Sequence, residues 1–326
     1  MIASRRTFLA GSLAAAAGGI FPATSTRAGY PDGIATIKVV VPFAPGGASD
    51  IIGRMLVDHI SKKWSVPAVL ENVPGAGATV GIGRVASGPK DGSQILILSI
   101  PYITTEFLMR RLPYQPQQDI APIVQLTRQP SLLCVRKDLP ANSVGELVTY
   151  AKSNPGKLNY ASTGAGTPSH LATEMLKRMT GTDMTQIPFA GSAPAQNALV
   201  GGHVDLFIDN AAAIIGLVRS GMVKGLAATL PERSPLLSDF PTVAETVPGF
   251  AVTGWFGAAV SGGTSESIRE SIRIACNELL QQKNVIDRLA AVTTEPIGGT
   301  EENFLAFLSS ERARWGELIK SSGMSL

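Results

Sequence analysis

Two stretches of this sequence join an apolar run to a helix-forming run through glycines, and neither turn carries a basic residue. The first is Val39-Val40-Val41-Pro42-Phe43-Ala44-Pro45-Gly46-Gly47-Ala48-Ser49-Asp50, leading into Ile51 and Ile52. The second is Asn159-Tyr160-Ala161-Ser162-Thr163-Gly164-Ala165-Gly166-Thr167-Pro168-Ser169-His170, leading into Leu171. Where such a turn opens a helix, unpaired backbone N–H groups point out of the helix end and the helix dipole adds partial positive charge. Glycine lets a ligand approach that backbone closely. The chemistry this supports is anion binding without Lys or Arg. In an open α/β sheet, ligands sit at the carboxyl ends of the strands. Two such turns, one per unit, are expected to face each other across a cleft and to take a small carboxylate with more than one polar end. Taken singly, each turn also reads as an ordinary strand-to-helix connection. Neither fits GxxxxGK[ST], and no GxGxxG follows a first strand, so nucleotide binding is not indicated.

Other polar residues near these turns have competing readings. Asp50 is expected to cap a helix beginning at Ile51, a role compatible with ligand contact. Asp209 ends the apolar run Val204 to Ile208 and, at a cleft edge, would suit an ammonium, a hydroxyl or a protonated acid. Ser162, Ser169 or Ser192 with His170 and Asp209 could be assembled on paper into a hydrolase triad. No GxSxG elbow places any of these serines on a nucleophile turn. His59, His170 and His203 lack metal-ligand spacing such as HExxH, so no metal or other cofactor is expected. Cys134 lies in Leu132-Leu133-Cys134-Val135 and Cys276 in an amphipathic stretch. Neither belongs to a CxxC, and both read as buried free thiols, with a single disulfide as the other possibility.

The elements that must position these turns follow from periodicity. Ile37–Val41 reads as a buried parallel strand, followed by a helix from Ile51 to about Lys63, a strand from Val66 to Leu70, a helix near Val80 to Ala86 and a strand from Gln94 to Ser99. That order indicates an α/β domain with a parallel sheet. A second unit opens near Gln129. Its strands are Ser131–Val135, Leu158–Ser162, Thr185–Phe189 and Val204–Ile208, and its helices start at Ser143, Leu171 and Ser192 and after Asn210. Ser143 and Glu146 form a capping-box pattern. Gly225–Thr229 reads as a strand returning toward the first unit, and two long helices close the chain, Glu266–Gln282 and Glu301–Ser321. We therefore expect domain 1 to comprise residues 29–128 and 232–326 and domain 2 residues 129–231. Two crossings allow a hinge that closes on a ligand.

Residues 1–28 read as an export signal. Arg5 and Arg6 precede Phe8 and Leu9, a weakly apolar Ala/Gly-rich run follows, and small residues lead to expected cleavage after Ala28. The paired arginines fit the twin-arginine type. The apolar run is too short to span a bilayer. The signal holds three of the 28 basic residues and no acid, so the remainder balances its 25 acidic residues. A formally neutral chain without a basic run lacks the electrostatic footprint of a nucleic-acid binder.

Several blocks in order resemble the substrate-binding receptors of tripartite tricarboxylate transporters, the Bug receptors. They are Pro42 to Asp50, Asn72 to Gly77, Leu158 to Ser162 with Gly164 to His170, Pro188 to Ala195, Phe207 to Asn210, Pro241 to Glu245, and Pro248 to Phe250 with Trp255 to Gly257. The resemblance implies a two-domain periplasmic-binding-protein fold of the Venus-flytrap type (type II). It also implies a non-enzymatic, monomeric periplasmic receptor that delivers a dicarboxylate, tricarboxylate, acidic amino acid or aromatic acid to membrane transporter subunits. A sensor that signals to a membrane kinase would use the same cleft. The ligand residues it implies are Phe43, Ala44, Gly46, Gly47, Ala48 and Asp50 in the first loop and Gly164, Gly166, Thr167 and Ser169 in the second. Ser192, Ala193 and Asp209 complete the set. The chain departs from the family at Ala190, where many relatives have Lys, at Phe189, where Tyr is common, and at Ser99-Ile100-Pro101-Tyr102, usually more polar. These departures leave the ligand's identity open.

Overall fold

The computed structural model describes residues 29–45, 48–164 and 167–322. Residues 1–28, expected to be an export signal, and Gly46, Gly47 and Gly166 lie outside the described residues. The chain first forms β1 (Ile37–Val41), α1 (Ala48–Trp64), β2 (Ala68–Asn72), α2 (Thr79–Ala86), β3 (Gln94–Leu98), α3 (Pro101–Leu108), the one-turn α4 (Pro116–Asp119) and β4 (Ile120–Gln129). Next come β5 (Ser131–Arg136), α5 (Val144–Ser153), β6 (Leu158–Ser162), α6 (Pro168–Thr180), β7 (Met184–Pro188), α7 (Ser192–Val200), β8 (Leu206–Asn210), α8 (Ala211–Arg219) and β9 (Val223–Ala228). The chain ends with β10 (Gly254–Ser261), α9 (Glu266–Leu280), α10 (Lys283–Ala291), β11 (Glu295–Pro296) and α11 (Glu301–Ser322).

These strands form two sheets, one ordered β11-β4-β10-β3-β1-β2 and the other β7-β6-β8-β5-β9. The βαβ runs behave as their apolar patterns predict: β1 pairs in parallel with β2 and β3, and β6 with β7 and β8. The capping pattern at Ser143 forms in modified shape. Ser143 accepts from the Glu146 N–H at 3.1 Å, while the Glu146 carboxylate reaches back to the Asn142 N–H at 2.7 Å.

β9, the first of the two closing helices, and the strands β4 and β10 differ from expectation. β9 does not return to the first unit; it pairs antiparallel with β5 at the edge of the second sheet. The helix expected to run to Gln282 stops at Leu280, and α10 starts at Lys283. β4 and β10 carry weak strand signals, because β4 holds Pro122 and β10 is rich in Gly and Ala. Pro122 stands at a register irregularity opposite Ala259, where a proline is tolerated. Gly257 of β10 gives room to Phe304 of α11: a Cβ there would lie 2.2 Å from the ring. The small residues that mask β10 in the sequence are thus what lets α11 pack on it.

The topology fixes where the carboxyl edges of the two sheets lie. β4 and β3 both run antiparallel to β10, so β4 points the same way as β1, β2 and β3. The chain therefore leaves the first sheet at the carboxyl edge of those strands. It enters the second at Ser131, which pairs with Asn210, the last residue of β8. That is the carboxyl edge of β6, β7 and β8. The return path ends β9 at Ala228, beside Leu132, and starts β10 at Gly254, opposite Gln129. Both crossings thus join one carboxyl edge to the other, and the strand-to-helix turns of the two sheets lie on either side of them.

Thr229 ties the crossings together. Its N–H donates to Ser131 O at 2.9 Å, its hydroxyl donates to Val252 O at 2.6 Å and accepts from the Ser131 N–H at 3.2 Å, and its carbonyl accepts from Val252 N–H at 2.9 Å. Thr229 is fully buried. Thr229→Val keeps the shape and removes both hydroxyl bonds, leaving buried partners unpaired. We expect a loss of about 1–3 kcal/mol in chemical denaturation; an unchanged midpoint would show that the clamp does not hold the crossings. A buried apolar cluster extends through both sheets, including Val40, Leu96 and Trp255 from the first and Leu133, Tyr160 and Leu206 from the second. Cys134 and Cys276 are buried free thiols, one in each sheet's core.

Candidate functional site

The first turn is held from the neighbouring strand. Asn72 ends β2 opposite Val41, and its side-chain amide donates to Phe43 O and to Asp50 Oδ1, both at 3.1 Å. Asp50 Oδ2 accepts from Arg54 Nε at 2.9 Å. α1 begins at Ala48, three residues before the expected start, so Asp50 lies inside its first turn and not at its N-cap. The Asp50 carboxylate is buried and serves the protein: it fixes the turn through Asn72 and the helix through Arg54. Phe43 is half-buried against the core, and Ala44 and Ala48 are exposed at the edge. The adjoining β2–α2 turn adds a feature that periodicity did not flag as part of the site. Gly75, Ala76, Gly77 and Ala78 all have positive φ, at 140°, 43°, 61° and 75°. Two alanines held in the left-handed region mark backbone over-determined by its surroundings. The alternation of glycine and alanine was the available signal.

The second turn is built around hydroxyls. Ser169, in the first turn of α6, accepts the Thr163 N–H at 2.9 Å and contacts the hydroxyls of Thr163 at 3.0 Å and Thr167 at 3.1 Å. Thr167 donates its hydroxyl to Gly164 O at 2.7 Å. Gly164 has φ 120°, which closes the turn. Ser162, the last residue of β6, accepts from Gln186 Nε2 at 2.7 Å and from the Gly164 N–H at 3.4 Å. Ser169 thus organises the turn from within, and Pro168 sits at the start of α6, where its missing N–H costs nothing.

The β7–α7 turn lies beside it, because Phe189 N–H donates to Ser162 O at 2.8 Å. Asp209, at the end of β8, sits on the far side of β6 in the sheet order and reaches α7. Its Oδ1 accepts from Ser192 Oγ at 2.7 Å and from Asn210 N–H at 2.9 Å, and its Oδ2 accepts from Gln196 Nε2 at 2.8 Å. Burial raises the Asp209 pKa, and the bonds from Ser192, Gln196 and the Asn210 backbone oppose that rise. All three partners donate, the pattern of an ionised carboxylate. Asn210 caps α8 through the Ala212 N–H and reaches Gln129 Oε1 at 3.5 Å, linking this edge to the crossing. Ala193 is exposed at the start of α7. Ser192 meets Asp209 directly, whereas a triad needs an imidazole between serine and carboxylate.

His170 follows Ser169 and is buried, its ring parallel to that of Tyr160 at 6.4 Å. Burial lowers its pKa; Glu174 pulls the other way and Lys177 adds to the lowering. The folded protein therefore favours the neutral ring, and the unfolded chain binds more protons below the ordinary value of 6.5. Stability is then fully present above 6.5 and falls as pH drops toward the depressed folded value. In thermal melts between pH 7.5 and 5.5, the midpoint of the parent chain is expected to fall further than that of His170→Gln. His59 is shifted in the same direction and contributes equally to both curves; parallel curves would exclude the His170 contribution.

The comparisons with known proteins fit this geometry. The sequence model of the "Tripartite tricarboxylate transporter family receptor" matches residues 52–324. A protein in the tcbD-tcbE intergenic region of Pseudomonas sp. (strain P51) is 35% identical over 91% of this chain and 89% of its own length. Protein BugT of Bordetella pertussis is 31% identical over 89% of this chain and 90% of its own. Among solved structures, an R. palustris protein with adipate is 34% identical with a TM-score of 0.76, covering 89% of this chain and 98% of that one. MatC of Rhodopseudomonas palustris, with bound malate, is 32% identical with a TM-score of 0.72, covering 87% of this chain and 98% of that one. The chain therefore belongs to the tripartite tricarboxylate transporter receptor family, the Bug receptors, and shares its two-domain periplasmic-binding-protein fold.

Proposed function

We propose that this chain is an extracytoplasmic receptor that captures a small organic carboxylate between its two sheets and hands it to a tripartite tricarboxylate-type membrane transporter. The observation that carries this reading is the placement of a helix N-terminus behind a strand-to-helix turn on each of two carboxyl edges joined by both crossings. In this reading residues 29–128 with 232–326 form one domain and 129–231 the other. Thr229 and its partners act as the hinge. Backbone N–H groups of the Phe43–Ala48 and Gly164–Ser169 turns hold the carboxylate, Gly46, Gly47 and Gly166 let it approach, and Ser192 and Ala193 meet the ligand's other end. Asp50 and Asp209 hold these turns in shape. The relatives solved with adipate and malate support carboxylate as the ligand class. The twin-arginine pattern of Arg5 and Arg6 supports export to the periplasm in folded form. Among the described residues no helix is long and apolar enough to cross a membrane. The protein works as a monomer without a cofactor and performs no reaction on its ligand.

The test is isothermal titration of the chain lacking residues 1–28 with a panel of organic acids and their matched primary amides. At least one acid is expected to bind with micromolar or tighter Kd and its amide at least 100-fold more weakly. No heat from any acid, or equal affinity for acid and amide, would overturn the reading.

A further inference from the structure

Helix α2 meets the first glycine turn at a glycine of its own. Gly81 is buried in α2. A Cβ on Gly81 would stand 2.8 Å from Pro42 Cβ, 2.9 Å from Pro42 Cα and 2.8 Å from Val73 O. Side chains do not approach that closely, and two of these three atoms are backbone, so only glycine allows the contact. Pro42 follows Val41, the end of β1, and Val73 follows Asn72, the end of β2. The two exits are joined there, because the Val73 N–H donates to Val41 O at 2.8 Å. One helical residue therefore touches the roots of both the β1–α1 and the β2–α2 turns.

The chain must reverse sharply to bring Gly81 back onto Val73 in so few residues. It does so through Gly75, Ala76, Gly77 and Ala78, all at positive φ. Thr79 secures the reversal by donating its hydroxyl to Ala76 O at 2.8 Å. Alanine adopts such conformations rarely, so two of them in one turn require a surrounding structure that holds them. The seating of α2 supplies it: Ile82 and Val85 are buried in one apolar cluster with Leu96 and Leu108. With α2 held by that core, a group added at Gly81 displaces the other side of the contact. That side is Pro42 and the turn it opens, in which Ala44 and Pro45 are exposed and free to give way.

We infer, resting on the reading above that the first turn holds the ligand, that Gly81 is a positioning residue of the binding site. Its backbone contact with Pro42 and Val73 fixes where both turns stand on the carboxyl edge of the first sheet. The run of positive φ from Gly75 to Ala78 serves to place it there. Gly81 does not touch the ligand; it acts through Pro42 on the Phe43–Ala48 turn.

Two alanine substitutions in the same helix test this on the chain lacking residues 1–28. Gly81→Ala and Gly83→Ala raise helix propensity equally, but a Cβ at Gly83 would meet nothing closer than Tyr114 Cδ1 at 3.5 Å, an ordinary contact. In titration calorimetry with the tightest-binding acid, Gly81→Ala is expected to bind at least tenfold more weakly than the parent and Gly83→Ala within twofold of it. Before ligand is added, backbone amide shifts of residues 43–50 should move in Gly81→Ala and stay in place in Gly83→Ala. A purely structural role would lower the melting midpoint of Gly81→Ala and leave the Kd of the folded protein unchanged. A Kd within twofold of the parent, or equal losses in both variants, overturns the inference and leaves the receptor reading intact. If no acid binds the parent, the receptor reading fails, and the amide shifts of the ligand-free variants still decide the role of Gly81. Should Gly81→Ala fail to fold, the double variant with Pro42→Gly, which removes one of the three close contacts, is expected to fold and to bind at least tenfold more weakly than Pro42→Gly alone; equal affinity overturns the inference.

Discussion

Gly164→Val is expected to weaken carboxylate binding about 100-fold while the protein still folds. Gly164 sits at φ 120°, a conformation that residues with a side chain rarely adopt and that a β-branched residue strongly resists. Space is not the obstacle, because a Cβ at this position would meet only Thr167 Cγ2, at 3.7 Å. The cost is conformational, on the order of 1–3 kcal/mol for a residue held in a sparsely populated region. The turn can shed that strain by rotating out of shape. Doing so would break the bond from Thr167 to Gly164 O and the contacts of Ser169 that aim the start of α6. Since each tenfold in affinity corresponds to about 1.4 kcal/mol, strain of this size and the misaligned N–H groups account for two decades. Calorimetry with the best acid, beside circular dichroism, measures it. A folded variant with unchanged Kd would show that the second turn does not contact the ligand.

Removal of the Asp50 carboxylate has a different signature. Asp50→Ala is expected to cost about 1–3 kcal/mol of stability, because it strands a hydrogen-bond donor of the half-buried Asn72 and removes the partner of the exposed Arg54. Binding should fall as well, since the same Asn72 amide that reaches Asp50 also holds Phe43 O. Asn72→Ala should lower both quantities in the same direction. In a double-mutant cycle the combined loss should be well below the sum of the two single losses, because both act through one network. Additive losses in urea denaturation would mean that Asp50 and Asn72 stabilise the turn independently.

Much of this architecture is legible in the sequence for a physical reason. The βαβ runs bury strands on both faces, so Ile37–Val41 and Leu158–Ser162 announce themselves as short apolar runs closed by glycine turns. β7, α7 and α8 follow from the same logic. The strands that resist reading are β4 and β10, whose Pro122, Gly254 and Gly257 satisfy tertiary packing and not local propensity. β9 reads correctly as a strand, but its partner is a long-range choice that no local pattern records. At the site, the two glycine turns were visible because they depend on residue type. The roles of Asn72, Gln186 and Gln196 were not. Each is an amide arriving from a neighbouring element, and only the strand register brings it within hydrogen-bond distance. The expectation that Asp50 caps α1 failed for a related reason: the helix begins earlier, so the same carboxylate is turned toward Asn72.

In the proposed function one ligand engages the carboxyl edges of both sheets at once. This engagement is tested most directly by backbone amide chemical shifts of the deuterated, 15N-labelled chain lacking residues 1–28 during titration with the tightest-binding acid. The largest shifts are expected to fall together on amides of residues 43–50 and 163–170 and to saturate with one common Kd. Saturable shifts confined to one sheet, or centred on the cavity where Met175 and Met179 of α6 meet Leu318 of α11, would contradict it.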